Sequence, residues 1–424
     1  MYDGRTQVVM AGAGVSRRAL LGGLGVGGVG AAVGALGAHT WQDRPPAPAP
    51  DVRAGTVAFH GEHQGGIATE AQDRLAFASF DVVTTDRGEL RGLLREWTAA
   101  AAAMTRGLPV PGDSSRPDAP PADTGETEGM APGLLTVTAG FGPSLFDDRF
   151  GLAPRRPALL RDLPSLPGDG LDPGRSGGDL AIQACAQDPQ VAFHVIRNLA
   201  RIGRGVVQMR WSQLGFGRTS ATTSTQSTPR NLMGFKDGTR NVRGDDTARM
   251  REHVWLPAGS DQAWMTGGSY LVARRIRMRI EGWDRDPLAD QESVFGRDKV
   301  EGAPLTGTRE TDAPDYAAKG TDGTPVIPMD AHIRLAAPEN NDGRAMLRRG
   351  YSFTDGVDPA SGELDAGLFF IAFMRDPQVF VHLQNRLGAL DALNEYIEHV
   401  GSGLFACPGG VRGPGDHWGR SLFA

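Results

Sequence analysis

The sequence predicts an α+β protein made of two similar domains with antiparallel sheets, and three observations carry that prediction. The chain has 424 residues, 40% of them hydrophobic and 22% charged, whereas a single hydrophobic core rarely grows past about 250 to 300 residues. Two segments, "LAIQACAQDPQV" at 180–191 and "LFFIAFMRDPQV" at 368–379, align without a gap. Each runs from an apolar strand-like stretch into an Asp-Pro helix start, so one strand-then-helix unit occurs twice, as internal duplication would leave it. Strand and helix signals are intermixed with no Gly-rich dinucleotide fingerprint, which favours antiparallel sheets.

The first 38 residues read as a targeting leader. In "SRRALLGGLGVGGVGAAVGALGA" at 16–38, Arg17 and Arg18 follow Ser16 and precede Leu20 and Leu21, and an uncharged Gly/Ala-rich run ends in small residues near Ala38. The pattern is that of a twin-arginine (Tat) signal; a stable membrane anchor needs about 20 strongly apolar residues, and many of these positions are Gly. It implies the Tat export machinery as a partner and an extracellular, periplasmic or cell-surface destination. The Tat route carries folded proteins, which suits a cofactor inserted before export. Residues 39–55, including "QDRPPAPAPDVRAG", form a stiff Pro-rich linker.

Order is expected from Thr56, with a first domain over 56–215. "TVAFHGEHQGGI" (56–67) and "RLAFASFDVV" (74–83) carry strand-like apolar and β-branched residues, and "ELRGLLREWTAAAAAMTRGL" (89–108) has apolar residues at helical spacing. Residues 111–133 are acidic, Pro-rich and poor in apolar residues, and read as a solvated surface excursion. "LLTVTAGFG" and "DLAIQACA" return to strand character, and Asp188 with Pro189 opens the helix "DPQVAFHVIRNLARI". The second domain, 216–424, contains the strand run "SYLVARRIRM", a Gly/Asp/Pro-rich region over 285–329, the segment "DAHIRLAA", the strand "LDAGLFFIAFM" and the helix "DPQVFVHLQNRL".

Composition excludes several functions. A formal charge of −6 argues against a nucleic-acid partner, whose phosphates need clustered Lys and Arg. Cys185 and Cys407 have neither disulfide-framework nor zinc spacing, and Cys185 in "LAIQACA" reads as a buried core thiol. "HGEHQ" sets His60 and His63 around Glu62, but positions three apart in a strand face opposite ways. His194 and His382 occupy unequal points of the two repeated helices and read as packing or surface residues. No GxSxG, HExxH or P-loop occurs.

Three features stand apart. "GFKDGTRN" (234–241) holds Asp237 before Gly238; "MDAHIRLAAPEN" places His332 in a short apolar segment; and "MLRRGYSF" follows with paired arginines. A histidine ligand, a proton-shuttling carboxylate and a fixed cation make the set an iron-porphyrin peroxidase needs. From residue types alone the simpler reading is a turn aspartate, a core histidine and surface arginines.

The chain resembles the dye-decolorising peroxidases, in particular the Tat-exported branch that includes deferrochelatase/peroxidases. The resemblance rests on "GEHQGGI" (61–67), "LTVTAGFGPSLFD" (135–147), "GFKDGTRN", "DAHIRLAAPEN" (330–340), "MLRRGYSF" (346–353) and "ALNEYIEHVGSGLF" (392–405), which span the mature chain in family order. It implies two ferredoxin-like domains, one haem b per chain held mainly by the second, and reduction of hydrogen peroxide with one-electron oxidation of phenolic or dye-like small molecules. The alternative it implies is a deferrochelatase that releases iron from haem. By resemblance, Asp237 is the distal acid-base, Arg348 the distal arginine that also touches haem, and His332 the axial iron ligand. Asn241 is a distal-side asparagine, and Gly238, Thr239 and Arg240 contact the haem edge. Asp391 is the acid that hydrogen-bonds the proximal imidazole, with Glu395 its competitor. Electrons from bulky substrates are expected to hop through Trp or Tyr, Tyr351 being one candidate. Where family members often carry Asn-Pro-Arg after the proximal segment, this chain has Ala337, Pro338 and Glu339. Sheet edges and helical faces of such domains often pair, so a homo-oligomer is compatible with the sequence.

Overall fold

The computed structural model describes residues 55–424; the Tat-type leader and all of the linker but Gly55 lie outside the described residues. The first half contains β1 (Arg74–Val82), α1 (Arg87–Met104), β2 (Thr136–Phe141), β3 (Leu180–Ala186), α2 (Pro189–Ile202) and β4 (Val207–Arg218). The second contains α3 (Thr247–His253), β5 (Ser269–Met278), α4 (Ile280–Trp283), α5 (Leu288–Phe295), α6 (His332–Ala336), β6 (Leu347–Arg348), β7 (Tyr351–Val357), β8 (Leu364–Met374), α7 (Gln378–Leu390) and β9 (Ile397–Cys407).

All named strands pair antiparallel. The first half has the order β4-β1-β3-β2 and the second β9-β5-β8-β7, with β6 a short spur on β8. Two seams join them: Phe141 against Ala406 on one side, and Phe216 against Ser352 with Arg218 against Tyr351 on the other. Because β5 also pairs with β8, the eight long strands close into a ring. The β2–β9 seam is a single residue pair, and the rest of that β2 edge is covered by the segment before β1, with Gln64 on Ala139 and Gly65 O on Thr138.

Alternation along the strands then divides the core. Leu75 and Phe77 of β1 point into the ring with Cys185, Leu271, Tyr351, Phe369 and Phe405, so both halves fill one interior instead of two separate cores. Phe77 is fully buried among Trp211, Phe369 and Phe405, with ring centroids 5.2, 5.3 and 6.1 Å away. Ala76, Ala78 and Phe80 face outward beneath α1 and α2. Strands covered on both faces read as continuous apolar runs, which is why the two repeated segments lack polar alternation.

The repeated Asp-Pro sites form the same helix start. Asp188 Oδ1 accepts the Gln190 N–H at 2.7 Å, and Asp376 Oδ1 accepts the Gln378 N–H at 2.8 Å. Asp86 likewise caps α1, accepting from the Gly88 and Glu89 amides.

One sequence expectation needs correction. Residues 56–67 form no strand. Gly66 has φ +92°, and a Cβ there would stand 2.4 Å from Thr138 Oγ1, so the chain bends against the sheet edge instead of extending along it. Its Gln64 side chain meets Ala139 N and O and Pro408 O. Residues 111–133 are irregular and mostly exposed, as their composition suggested, and are tied to the fold at one stretch. Asp123 accepts the Val110 amide, and Asn198 of α2 bonds both the amide and the hydroxyl of Thr124. His194 of the same helix is buried between Asp123 and Glu126 at 3.5 and 3.3 Å.

Candidate active site

His332 opens α6, a single turn reached after the long excursion from Gly296. Its Nδ1 lies 2.6 Å from Asp391 Oδ2. A carboxylate can only accept, so Nδ1 carries the proton and Nε2 presents its lone pair. Asp391 is itself fixed, because its other oxygen accepts the Leu393 amide at 2.9 Å. Burial alone would depress the imidazole pKa; the charge and hydrogen bond of Asp391 outweigh it and leave the group above its ordinary value. Glu395 is exposed and takes no part in this pair.

Asp237 follows a short bridge between Arg230 and Lys236, and its amide donates to Pro229 O at 3.0 Å. Gly238 has φ +89°, and a Cβ on it would meet Ser220 Cα at 3.0 Å. The turn after Asp237 therefore requires glycine both for its backbone angle and for space. Arg348 lies on the two-residue strand β6, and its Nη1 donates to Asp237 Oδ1 at 2.9 Å. Alternation sends the second arginine of the pair the other way. Arg349 is fully buried and donates to Thr69 O at 2.6 Å and to Gln72 Oε1, so it ties the N-terminal segment to the ring.

Asp237, Gly238, Thr239, Arg240, His332, Arg348 and Asp391 line one cavity. Asn241 lies off it. Its amide is spent on the backbone, accepting the Arg348 N–H at 2.8 Å and donating to Arg348 O at 2.8 Å and Ala221 O at 3.0 Å. The structure thus gives Asn241 the task of holding the strand that carries Arg348. Thr239 Oγ1 donates to Glu310, which also takes Lys236 Nζ at 2.7 Å. Arg240 pairs with Glu339 at 2.7 Å, so the Ala-Pro-Glu departure has a structural consequence. Tyr351 is fully buried in the ring interior, outside the cavity lining.

The remaining candidates resolve simply. His63 Nδ1 lies 2.7 Å from Gly267 O and its ring stacks on Trp255 at 3.8 Å. No group of three His, Cys, Asp or Glu side chains is placed to hold a metal ion among the described residues. Cys185 and Cys407 are buried free thiols.

The cavity fits an iron porphyrin on its own chemistry. It offers an imidazole nitrogen with a free lone pair, a carboxylate–guanidinium pair, and apolar walls from Ile276, Phe295, Met346, Leu368 and Phe370. His332 keeps 29% of its side-chain surface accessible because it faces this space. The family profile for the Dyp-type peroxidase N-terminal region matches residues 64–217, and that for the C-terminal region matches 228–412. The chain belongs to the Dyp-type peroxidase family. Deferrochelatase from Escherichia coli K12 is 40% identical over 413 residues, which is 96% of each chain. DtpA from Streptomyces lividans, solved as an oxyferrous complex, superposes with a TM-score of 0.80 at 40% identity, covering 88% of this chain and 100% of that one. A DyP-type peroxidase from Cellulomonas bogoriensis gives 0.78 at 38% identity, covering 88% and 99%.

Sequence reasoning missed one feature of this Dyp-type peroxidase. Phe295 meets the His332 ring edge-on at 6.1 Å, Trp283 meets Phe295 at 5.7 Å, and Tyr396 meets Trp283 at 4.9 Å. The Tyr396 hydroxyl donates to Asp286, a bond that together with burial raises its pKa. These residues are scattered from 283 to 396, and no local spacing announces them. The family block "ALNEYIEHVGSGLF" did contain Tyr396.

Proposed function

We propose that this chain is a haem b peroxidase that reduces hydrogen peroxide and oxidises phenolic or dye-like reductants by one-electron steps. One observation carries the reading: the Asp237–Arg348 pair shares a cavity with an imidazole whose Nε2 is free and whose Nδ1–H is held by a carboxylate. Haem, held by His332, supplies the redox chemistry. Asp237 takes a proton from hydrogen peroxide and returns it to the departing oxygen, and the Arg348 cation holds that carboxylate in place and stabilises negative charge on the peroxide. Asp391 makes His332 a more basic ligand. Electrons from substrates too bulky for the cavity travel along Tyr396, Trp283 and Phe295, a file of rings in mutual contact that begins at a half-buried tyrosine with its own proton acceptor.

The test is an absorption spectrum of the purified protein before and after stoichiometric peroxide. The wild type should show a haem spectrum that changes with peroxide, and His332→Ala should lose axial ligation; an unchanged spectrum in that variant removes His332 as ligand. A second reading, iron release from haem, is favoured by the 40% identity to proteins named deferrochelatase. It predicts iron-free porphyrin formed anaerobically without peroxide.

Two further readings belong to the proposal. The shared 4-1-3-2 strand order of the two halves and their matching Asp-Pro helix starts support two ferredoxin-like units derived by duplication. The Ser16-Arg17-Arg18 leader supports export by the Tat route; Arg17→Lys with Arg18→Lys should retain the protein in the cytoplasm, and normal export would end that assignment.

A further inference from the structure

The aim of Asp237 depends on the turn that carries it. Among the described residues its side chain takes a single hydrogen bond, from Arg348, so the backbone on either side decides where the carboxylate points. Residues 297–312, part of the Gly/Asp/Pro-rich region, splint that backbone. Arg230 donates to Lys299 O and Val300 O, each at 2.6 Å. Lys236 lies tight on Gly302, where a Cβ would stand 2.7 Å from its Cδ. Buried Arg297 ties the splint together by donating to Gly302 O and, at 3.1 Å, to Glu310 O. Asp312 closes its far end, accepting the Thr308 and Arg309 amides at 2.9 Å.

Glu310 is the side chain of this stretch that bonds the turn on both sides of Asp237. Its Oε2 accepts Lys236 Nζ at 2.7 Å and its Oε1 accepts the Thr239 hydroxyl at 3.1 Å. Burial would raise its pKa; the hydrogen bond and charge of Lys236 and the Thr239 hydroxyl outweigh that and keep it below the usual carboxylate value. Charge-assisted bonds of this kind are among the stronger ones a side chain makes. Lys236 and Thr239 line the main cavity, whereas Glu310 is not part of its wall. We propose that Glu310 is a positioning residue for proton transfer: by clipping the 236–239 turn at both ends, it keeps Asp237 aimed at the peroxide. The proposal rests on the peroxidase reading and adds to it a residue that acts only through Asp237.

A double-mutant cycle on the haem-loaded protein tests this. Glu310→Ala should slow the peroxide reaction, followed by stopped-flow absorbance, about ten-fold or more, with haem content and circular dichroism unchanged. In an Asp237→Asn background the same substitution should slow it no further. Glu310→Gln keeps an acceptor oxygen and should stay within about three-fold of the wild type. An unchanged rate in Glu310→Ala, an equal slowing in the Asp237→Asn background, or a Glu310→Gln variant as slow as Glu310→Ala overturns the proposal. If Glu310→Ala takes up no haem, Thr239→Val, which cuts one of the two bonds, carries the same cycle: slowing confined to the Asp237 background supports the proposal, and slowing in both or in neither overturns it. Cyanide association is read in parallel, because hydrogen cyanide must give up its proton on binding whether or not the protein reduces peroxide. The same non-additivity toward cyanide in a protein inert to peroxide would leave Glu310 standing and sink the peroxidase reading; additive or absent effects with both ligands sink the Glu310 assignment alone.

Discussion

At the residue scale, Asp237 shows how a turn and a proton shuttle can be one structure. The positive φ of Gly238 and its approach to Ser220 fix the turn, and the turn delivers the carboxylate to Arg348. Asp237→Asn keeps the size but loses the basic oxygen. It should bind haem normally and react with peroxide about 10²- to 10⁴-fold more slowly, as read by stopped-flow absorbance; undiminished reaction would pass the proton transfer to another group. A different residue carries a prediction about acid stability. His399 is buried beside Arg274, and burial first and that cation second push its pKa down to about 3. The unfolded chain takes this proton near 6.5, so between about 6.5 and 3 the unfolded state binds more protons and stability falls as pH falls. His399→Gln should flatten that part of the denaturation-midpoint profile, and an equally steep slope would assign the acid sensitivity elsewhere.

At the scale of elements, legibility followed local physics. β5 and β8 run over 269–278 and 364–374, matching the predicted strands, because bounded runs of β-branched and apolar residues leave the backbone few alternatives. The Asp-Pro starts of α2 and α7 were equally readable, since a capping carboxylate acts within two residues. The strand expected over 56–67 failed for the complementary reason. Its apolar residues suit a strand, but its glycines let the chain bend, and contacts to Thr138 and Pro408, far along the sequence, decide the path. The excursion at 111–133 is mostly exposed, as its composition suggested, while Asp123 and Glu126 reach His194 of α2.

At the scale of the molecule, the aromatic file makes a prediction that no single element contains. Tyr396→Phe removes the hydroxyl and its bond to Asp286 while keeping the ring against Trp283. It should slow turnover of a bulky dye several-fold (about 1 kcal/mol in barrier) yet leave the peroxide reaction unchanged; equal dye turnover would show that electrons enter elsewhere. Ring closure is likewise a property of the whole. Phe77 of one half and Phe369 and Phe405 of the other share an interior, and neither half has that core alone.

The sequence by itself determined the segments of β1, α1, β2, β3, α2, β5, β8 and α7, the repeated unit, and the residue types from which the site is made, because propensity, capping and turn chemistry act over a few positions. Only the tertiary structure decided that eight strands close into one ring, that Asp391 and not Glu395 holds His332, and that Asn241 braces the Arg348 strand. It also decided that two rings, Phe295 and Trp283, connect His332 to the half-buried Tyr396. Those are contacts between residues tens to hundreds of positions apart, and their geometry follows from the packing of the whole chain, which no local pattern encodes.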